Sequence, residues 1–192
     1  MSGWRAPTGG LIDRTRPIAF SFDSRPLSGF EGDTIASALL AAGQRVIGRS
    51  FKLHRPRGLW GGWHDEPNAL FDVTEAGRTT PNLRATTERL RPGLSLRSVN
   101  TWPDAAGDRL RFLDRLHRFL PAGFYYKTFM VPGWPRWEPM IRRMAGLGRL
   151  DPSHEPPPDA EQIHARCVFL VIGAGPAGLA AARAAAARGV SV

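Results

Sequence analysis

The stretch CVFLVI, GAGPAG, LAAARAAAARG occupies residues 167–172, 173–178 and 179–189, and it is the most informative part of this 192-residue chain. Its first six residues are apolar without interruption, which is typical of a strand buried on both faces. Its last part is rich in alanine, the best helix former, and ends at Gly189, a residue suited to the end of a helix. The stretch therefore predicts a strand, a glycine turn and a helix in direct succession.

The turn has the pattern G-x-G-x-x-G, and each glycine has a separate physical role. Gly173 permits the tight turn, Gly175 lets a pyrophosphate approach the backbone, and Gly178 allows the helix to pack closely on the strand. The amides and the dipole of the helix start favour a negative charge there. We predict a cofactor-binding turn for an ADP-containing dinucleotide at six residues: Gly173, Ala174, Gly175, Pro176, Ala177 and Gly178. The alternative is a glycine-rich turn that binds nothing.

The acidic residue that would bind the ribose is expected about 20 residues beyond the glycines, at the end of a second strand. The chain ends at Val192, before that position. We therefore expect a truncated piece of a longer protein, with residues 165–192 as the start of an FAD- or NAD-binding Rossmann-type domain. Catalytic residues are expected outside this chain, and none is assigned.

Charge and composition narrow the function classes. The net charge is +9, and every basic residue except Lys52 and Lys127 is an arginine. The arginines are spread along the chain and no nucleic-acid motif accompanies them, so a nucleic-acid partner is the weakest interpretation. No apolar run reaches the roughly 18 residues of a membrane span, and the N-terminus lacks the apolar core of a secretory signal. A cytoplasmic protein without a membrane partner is expected.

Cysteine usage bears on redox chemistry. Cys167 is the single cysteine. An iron–sulfur cluster held by thiolates, or a structural zinc site, needs several such ligands, so we predict neither metal nor cluster in this chain. Cys167 opens the predicted buried strand and is interpreted as a small core residue.

The N-terminal half predicts a β-grasp layout. Residues 1–16 lack periodicity and predict a flexible arm. A domain over residues 17–100 then begins with a strand whose apolar residues alternate, a turn and a return strand, which together form a hairpin. Asp33 is placed as the N-cap of a following helix, which Gly43 ends. The alternating apolar residues of the first strand are Ile18, Phe20 and Phe22.

Further strands are predicted to complete a small mixed sheet. Residues 68–74 alternate apolar and polar side chains, and residues 82–90 give another strand. After a turn at Pro92 and Gly93, residues 94–98 alternate again. The sheet is therefore expected to close near residue 100.

An arginine-rich loop follows the first helix. Residues 45–58 carry cationic and apolar side chains in alternation, which favours a surface loop docked on a neighbouring domain. An anion-binding loop and a nucleic-acid patch are the other interpretations. His54 and His64 lack neighbours with metal-ligand spacing, so each is interpreted as a solvated or hydrogen-bonded histidine.

Residues 101–150 predict a helical, aromatic connector. Leucines at helical spacing predict a short amphipathic helix that stops before Pro121. The aromatic stretch at 123–130 favours packing between domains or subunits, with a position near a cofactor as the alternative. A second helix is predicted to open at Glu138 and Pro139. Residues 151–164 are proline-rich and predict a stiff linker.

Five blocks of the sequence are distinctive: GFEGDTIASALL at 29–40, GRSFKLHRPRG at 48–58, EPNAL at 66–70, LPAGFYYKTFM at 120–130 and RRMAGLG at 142–148. These blocks resemble the N-terminal part of alpha subunits of heterotetrameric sarcosine oxidases, and the resemblance spans residues 15–192. The resemblance implies an N-terminal domain similar to a [2Fe–2S] ferredoxin. Relatives among amine dehydrogenases and cyanide synthases hold a cluster there with four cysteines, whereas this chain has none in that domain, so the resemblance implies a ferredoxin-like domain without cluster ligands.

The resemblance also implies a function. It implies oxidative demethylation of sarcosine to glycine with hydrogen peroxide formation, and transfer of the one-carbon unit to tetrahydrofolate. It implies NAD at the glycine turn, with FAD as the alternative, and FMN at the interface with a partner subunit. The implied partners are beta, gamma and delta subunits, a small amine substrate and tetrahydrofolate. The fold class is then α+β followed by α/β, and the alternative function is a non-catalytic assembly module of an FAD-dependent amine or opine dehydrogenase-type complex.

Overall fold

The structure is a computed structural model that describes residues 4–8, 10–119, 123, 129–149, 152, 161 and 163–192. The chain divides into two units, Met1–Leu150 and Asp151–Val192. The division falls where the proline-rich linker is predicted to begin.

The first unit starts with the predicted hairpin. Strand β1 (Asp13–Phe22) pairs antiparallel with β2 (Arg25–Glu31). The alternating apolar side chains of β1 are buried, so the period of two is confirmed. Both turn residues, Asp23 and Ser24, have positive φ (47° and 66°), as the tight hairpin turns that match strand twist require. Strand β1 begins inside the stretch predicted as a flexible arm.

Helix α1 (Ile35–Ala41) follows the hairpin and corrects the predicted cap. Its N-cap is Thr34 and not Asp33: the Thr34 side chain accepts from the Ser37 amide, and the Ser37 hydroxyl accepts from the Thr34 amide. The N-cap lies one position later than predicted, because the Asp33 carboxylate accepts its hydrogen bonds from groups other than the first-turn amides of the helix. The helix ends before Gly43, whose φ is +79°, as predicted.

The second half of the first unit completes a five-stranded mixed sheet. It contains β5 (Leu70–Glu75), β6 (Arg78–Arg84) and β7 (Ser95–Ser98), after two short strands in the arginine-rich loop. The strand order is β2-β1-β7-β5-β6, and β1 and β7 are parallel while the other pairs are antiparallel. The predicted mixed sheet is confirmed.

The strand predicted over residues 82–90 is wrong in its bounds. The chain turns at Ala76 and Gly77, which have φ of 49° and 81°, so β6 starts at Arg78 and forms a hairpin with β5. Residues beyond β6 pair instead with the start of α1: the Ile35 amide donates to the Glu88 carbonyl, at 3.0 Å. Part of the backbone that the pattern assigned to a strand therefore bonds to the start of α1 and not to a neighbouring strand.

The arginine-rich loop contains a two-stranded sheet that the sequence did not predict. Strands β3 (Gly48–Arg49) and β4 (Pro56–Arg57) pair antiparallel. Arg49 crosses to the connector, where Nε donates to the Ala105 carbonyl at 2.8 Å. This loop is therefore fixed to the body of the first unit.

Two helical segments lie in the described part of the connector. A 3₁₀ helix covers Arg109–Phe119, close to the predicted helix, and α2 covers Trp134–Met144. Helix α2 begins four residues before the predicted start, with Pro135 in its first turn, so Pro139 lies inside it. Most of the aromatic stretch at 123–130 is outside the described residues. No helix in the described part of the chain is long and apolar enough to cross a membrane.

The hydrophobic core of the first unit lies between α1 and the sheet. Its largest fully buried apolar side chains come from α1, from the loop after α1, and from β5, β7 and the chain just before β7. They are Ile35, Leu39, Ile47, Phe71, Leu94 and Leu96. Burying an aliphatic or aromatic side chain of this size contributes about 1.5–3 kcal/mol.

The second unit contains helix α3 (Pro176–Ala186), which ends before Gly189 as predicted. The buried strand predicted at 167–172 is not found. Val168 and Ile172 are 82% and 91% exposed, and the amides of Val168 and Phe169 both donate to one carbonyl, that of Ser191. A strand needs a ladder of partners along its length, and these residues have one acceptor. Cys167 is exposed, so its interpretation as a core residue is wrong.

Candidate functional site

The glycine turn leads directly into helix α3. Gly173 has φ of +104°, a conformation that side chains disfavour. Gly175 is the N-cap, Pro176 follows it at the first helical position, and no side chain caps this end. The first-turn amides of a helix have no intrahelical partner, so this end presents backbone donors and a positive dipole.

Gly178 is explained by close packing within the turn. A Cβ atom there would lie within 2.1 Å of the Gly173 carbonyl oxygen and within 3.2 Å of Val171 Cγ1. A Cβ at Gly175 would meet nothing within 4 Å. The close approach of the helix thus requires a glycine at 178, while the backbone at 175 borders open space.

The first unit contains a buried pair of titratable side chains, His54 and Asp108, which the sequence did not predict. His54 and Asp108 are 1% and 0% exposed, and His54 Nδ1 lies 2.7 Å from Asp108 Oδ2. A carboxylate accepts, so Nδ1 carries the proton. Asp108 Oδ1 also accepts from the Trp102 amide at 3.0 Å, which fixes the carboxylate.

The geometry of His54 is unusual in two further ways. Its backbone φ is +51°, in the left-handed region that non-glycine residues seldom adopt. Its other ring nitrogen, Nε2, is buried and bonds to no group among the described residues. The interpretation of His54 as a hydrogen-bonded histidine is correct at one nitrogen only.

A buried carboxylate holds the loop after β4. Glu66 is fully buried and accepts from the amides of Trp60 and Gly61, each at 2.5 Å, and of Asn68 at 2.7 Å. Burial raises the pKa of Glu66, but these backbone donors and that of Ala69 outweigh it and hold the pKa below its ordinary value of 4.5. The ionised form therefore organises the loop.

Replacing Glu66 by glutamine is expected to lower the free energy of unfolding by about 2–3 kcal/mol at neutral pH, since amide donors lose a charged acceptor. Because the folded-state pKa is depressed, the stability from Glu66 is present above pH 4.5 and is lost as pH falls through the folded pKa. Urea unfolding at several pH values measures both effects.

The matched control is Asp65→Asn, which removes the neighbouring exposed carboxylate. A Glu66→Gln variant that is no less stable than Asp65→Asn, and that loses stability in acid as steeply as the parent chain, would contradict the assigned role of Glu66.

Comparison with known proteins defines the class of the first unit. Residues 15–101 match the family model described as "2Fe-2S iron-sulfur cluster binding domain". The match covers α1 and the mixed sheet except for the first two residues of β1, so the predicted ferredoxin-like domain is confirmed.

The comparisons also identify relatives over the whole chain. The chain is 54% identical to sarcosine oxidase subunit alpha of Rhizobium meliloti (strain 1021), over all of this chain and 20% of that protein. It is 34% identical to sarcosine oxidase subunit alpha of Corynebacterium sp. (strain U-96), over 96% of this chain and 15% of that protein. The resemblance to sarcosine oxidase alpha subunits is therefore confirmed, and the chain spans a fifth or less of these relatives. L-proline dehydrogenase from P. horikoshii matches with a TM-score of 0.36 and 22% identity, over 45% of this chain and 16% of that chain, a likeness that supports no argument.

The cofactor prediction is wrong. It named NAD or FAD at the glycine turn, FMN at a subunit interface and no iron–sulfur cluster, whereas the matching family model points to an iron–sulfur cofactor. The residues of this chain do not fit a cluster held by four thiolates, because its single cysteine, Cys167, lies outside the match. Among the described residues, no group of three or more His, Cys, Asp or Glu side chains is placed to hold a metal ion. The family model therefore implies an iron–sulfur cluster, but this chain lacks the cysteine ligands that such a cluster needs.

The structure places the predicted site residues in one turn, and it shows two further buried polar groups that were not predicted. The six predicted site residues form one turn at the start of α3. The pair of His54 and Asp108 spans 54 positions, and the Glu66 loop has no periodic signature, so no local pattern marked them. Buried charged residues are recognisable only once the fold shows which of them have partners.

Proposed function

We propose that this chain is the N-terminal part of the alpha subunit of a multi-subunit, sarcosine oxidase-like oxidoreductase. The observation that supports this is 54% identity to such a subunit over the full length of the chain. The assembly would act on the CH–NH group of sarcosine, forming glycine and hydrogen peroxide and passing the one-carbon unit to tetrahydrofolate. Beta, gamma and delta subunits would complete it in the cytoplasm.

In this proposal the first unit has a structural and assembly role. Its buried carboxylates are used within the domain: Asp33 and Glu66 each bind several donors of their own unit. Because their donors come from inside the unit, these carboxylates need no partner from another subunit, and the outer surface of the unit would supply the subunit contacts. The chemistry of amine oxidation is assigned to parts of the assembly beyond residues 1–192.

The second unit would contribute a phosphate-binding turn. The residues are Gly173, Ala174, Gly175, Pro176, Ala177 and Gly178. Support comes from the uncapped start of α3 and from the open space beside Gly175, which allow a phosphate to approach backbone donors.

An exchange chimera tests the subunit assignment. The corresponding N-terminal region of the Rhizobium meliloti alpha subunit, 54% identical, is replaced by residues 1–192 and co-expressed with its partner subunits. We expect the chimera to co-purify with them in the same stoichiometry as the parent subunit, because side chains that fix subunit contacts should be shared. A chimera that is folded but monomeric would contradict the proposal.

A further inference from the structure

An open groove of about 750 Å³ lies in the first unit and is lined by residues of that unit. One wall comes from β7 and the loop that follows it, including Trp102. The other wall comes from α2 and residues 146–149. Ligand sites for small molecules typically enclose about 300–1,000 Å³, so the groove has the size of such a site.

The charges that line the groove are strongly unbalanced. Four arginines line it, Arg97, Arg142, Arg143 and Arg149, against one carboxylate, Asp72. Arg142 is paired with Glu138 at 2.6 Å. The other three arginines are exposed and form no ion pair with any described residue. Among the described residues, three guanidinium groups of the groove are therefore without a carboxylate partner.

The groove also borders the unusual histidine. His54 belongs to its lining, is 1% exposed, and is oriented by Asp108 at 2.7 Å. No described residue bonds to Nε2. Buried polar atoms nearly always have a partner, so a partner beyond the described residues, such as a bound ligand, is expected for this nitrogen.

Apolar side chains complete the lining. Trp102, Met140, Met144 and Leu147 border the groove and are 54%, 43%, 40% and 53% exposed. A site with apolar walls and a few convergent charged groups is typical of small-molecule recognition. Arginine forks match the oxygens of carboxylate and phosphate groups in particular.

We propose that this groove binds a small molecule with one or more carboxylate or phosphate groups, held by Arg97, Arg143 and Arg149, and with an O–H group that donates to His54 Nε2, which is an acceptor when Nδ1 carries the proton. The site is independent of the sarcosine oxidase-like function and of the glycine turn. It requires no covalent or redox step.

Titration calorimetry on the full chain at low salt tests the site with two probes, citrate and inorganic phosphate. We expect the double variant Arg143→Glu/Arg149→Glu to bind the preferred probe at least about tenfold more weakly, because it replaces two charge-assisted contacts by repulsion. Stronger binding of citrate would assign a carboxylate ligand, and stronger binding of phosphate a phosphate ligand.

Two control variants separate the site from general attraction to a chain of net charge +9. Arg25→Glu changes an exposed arginine that is not part of the groove lining and should change affinity by less than about twofold, since an exposed charge that does not contact the ligand is screened by solvent and salt. Equal losses in Arg25→Glu and in Arg143→Glu/Arg149→Glu, or no binding of either probe, would overturn the proposal. His54→Asn suits the positive φ, and undiminished binding by this variant would overturn the role of His54.

Discussion

Replacing Asp33 by alanine is expected to lower the free energy of unfolding of the first unit by about 3–5 kcal/mol, because it leaves a buried charge cluster without its anion. Arg5 donates two hydrogen bonds to this fully buried carboxylate, at 3.1 and 2.6 Å. The Phe30 amide and the Ser37 hydroxyl donate two more, at 2.9 and 2.6 Å. Urea unfolding followed by circular dichroism measures the loss.

Two companion variants identify the cause of that loss. Asp33→Asn keeps an acceptor and should lose less stability than Asp33→Ala. Asp13→Ala removes an exposed carboxylate that bonds to Thr15 two residues away, and should cost far less stability than Asp33→Ala. Equal stability of Asp33→Ala and Asp13→Ala would show that Asp33 does not hold the N-terminal stretch to α1.

The second large effect is expected for Gly178→Val in the exchange chimera. A Cβ atom at 178 would lie 2.1 Å from the Gly173 carbonyl, so α3 must move away from the turn. Overpacking of this kind costs about 1–3 kcal/mol, and a backbone contact belongs at the upper end of that range. The thermal unfolding midpoint of the purified chimera should fall, and less of the folded subunit should be recovered.

Gly175→Ala is the matched control because its added methyl group meets no atom within 4 Å and its φ of −71° suits alanine. It should leave the unfolding midpoint unchanged while weakening binding of inorganic pyrophosphate about tenfold, since it obstructs the approach of a phosphate to the backbone. If Gly175→Ala were the more destabilising of the two, or bound pyrophosphate normally, the proposed role of the turn would be wrong.

The sequence predicted those elements whose local pattern matches their burial. The alternation of Ile18, Phe20 and Phe22 predicted β1 because one face of that strand is buried in the core. Gly43 correctly marked the end of α1 because the chain there needs positive φ. Periodicity and turn residues are properties of a few consecutive positions, so β1 and the end of α1 can be predicted from the local sequence.

Other features depend on distant partners and could not be predicted. The strand expected at 167–172 needs neighbouring strands to satisfy its backbone, and Val168 and Phe169 share one acceptor, the Ser191 carbonyl. Likewise, the pairing of His54 with Asp108 is created by the fold. The cofactor prediction failed for a related reason. A count of thiolates describes the ligands of one chain, whereas the match over residues 15–101 depends on the sequence of the whole domain.

Sarcosine-dependent hydrogen peroxide formation by the assembled exchange chimera tests the central proposal most directly. We expect its kcat to lie within about tenfold of the parent enzyme, which corresponds to about 1.4 kcal/mol in activation free energy. An assembled chimera with a normal unfolding midpoint but no sarcosine-dependent peroxide formation would contradict the assignment of this chain to a sarcosine oxidase-like alpha subunit.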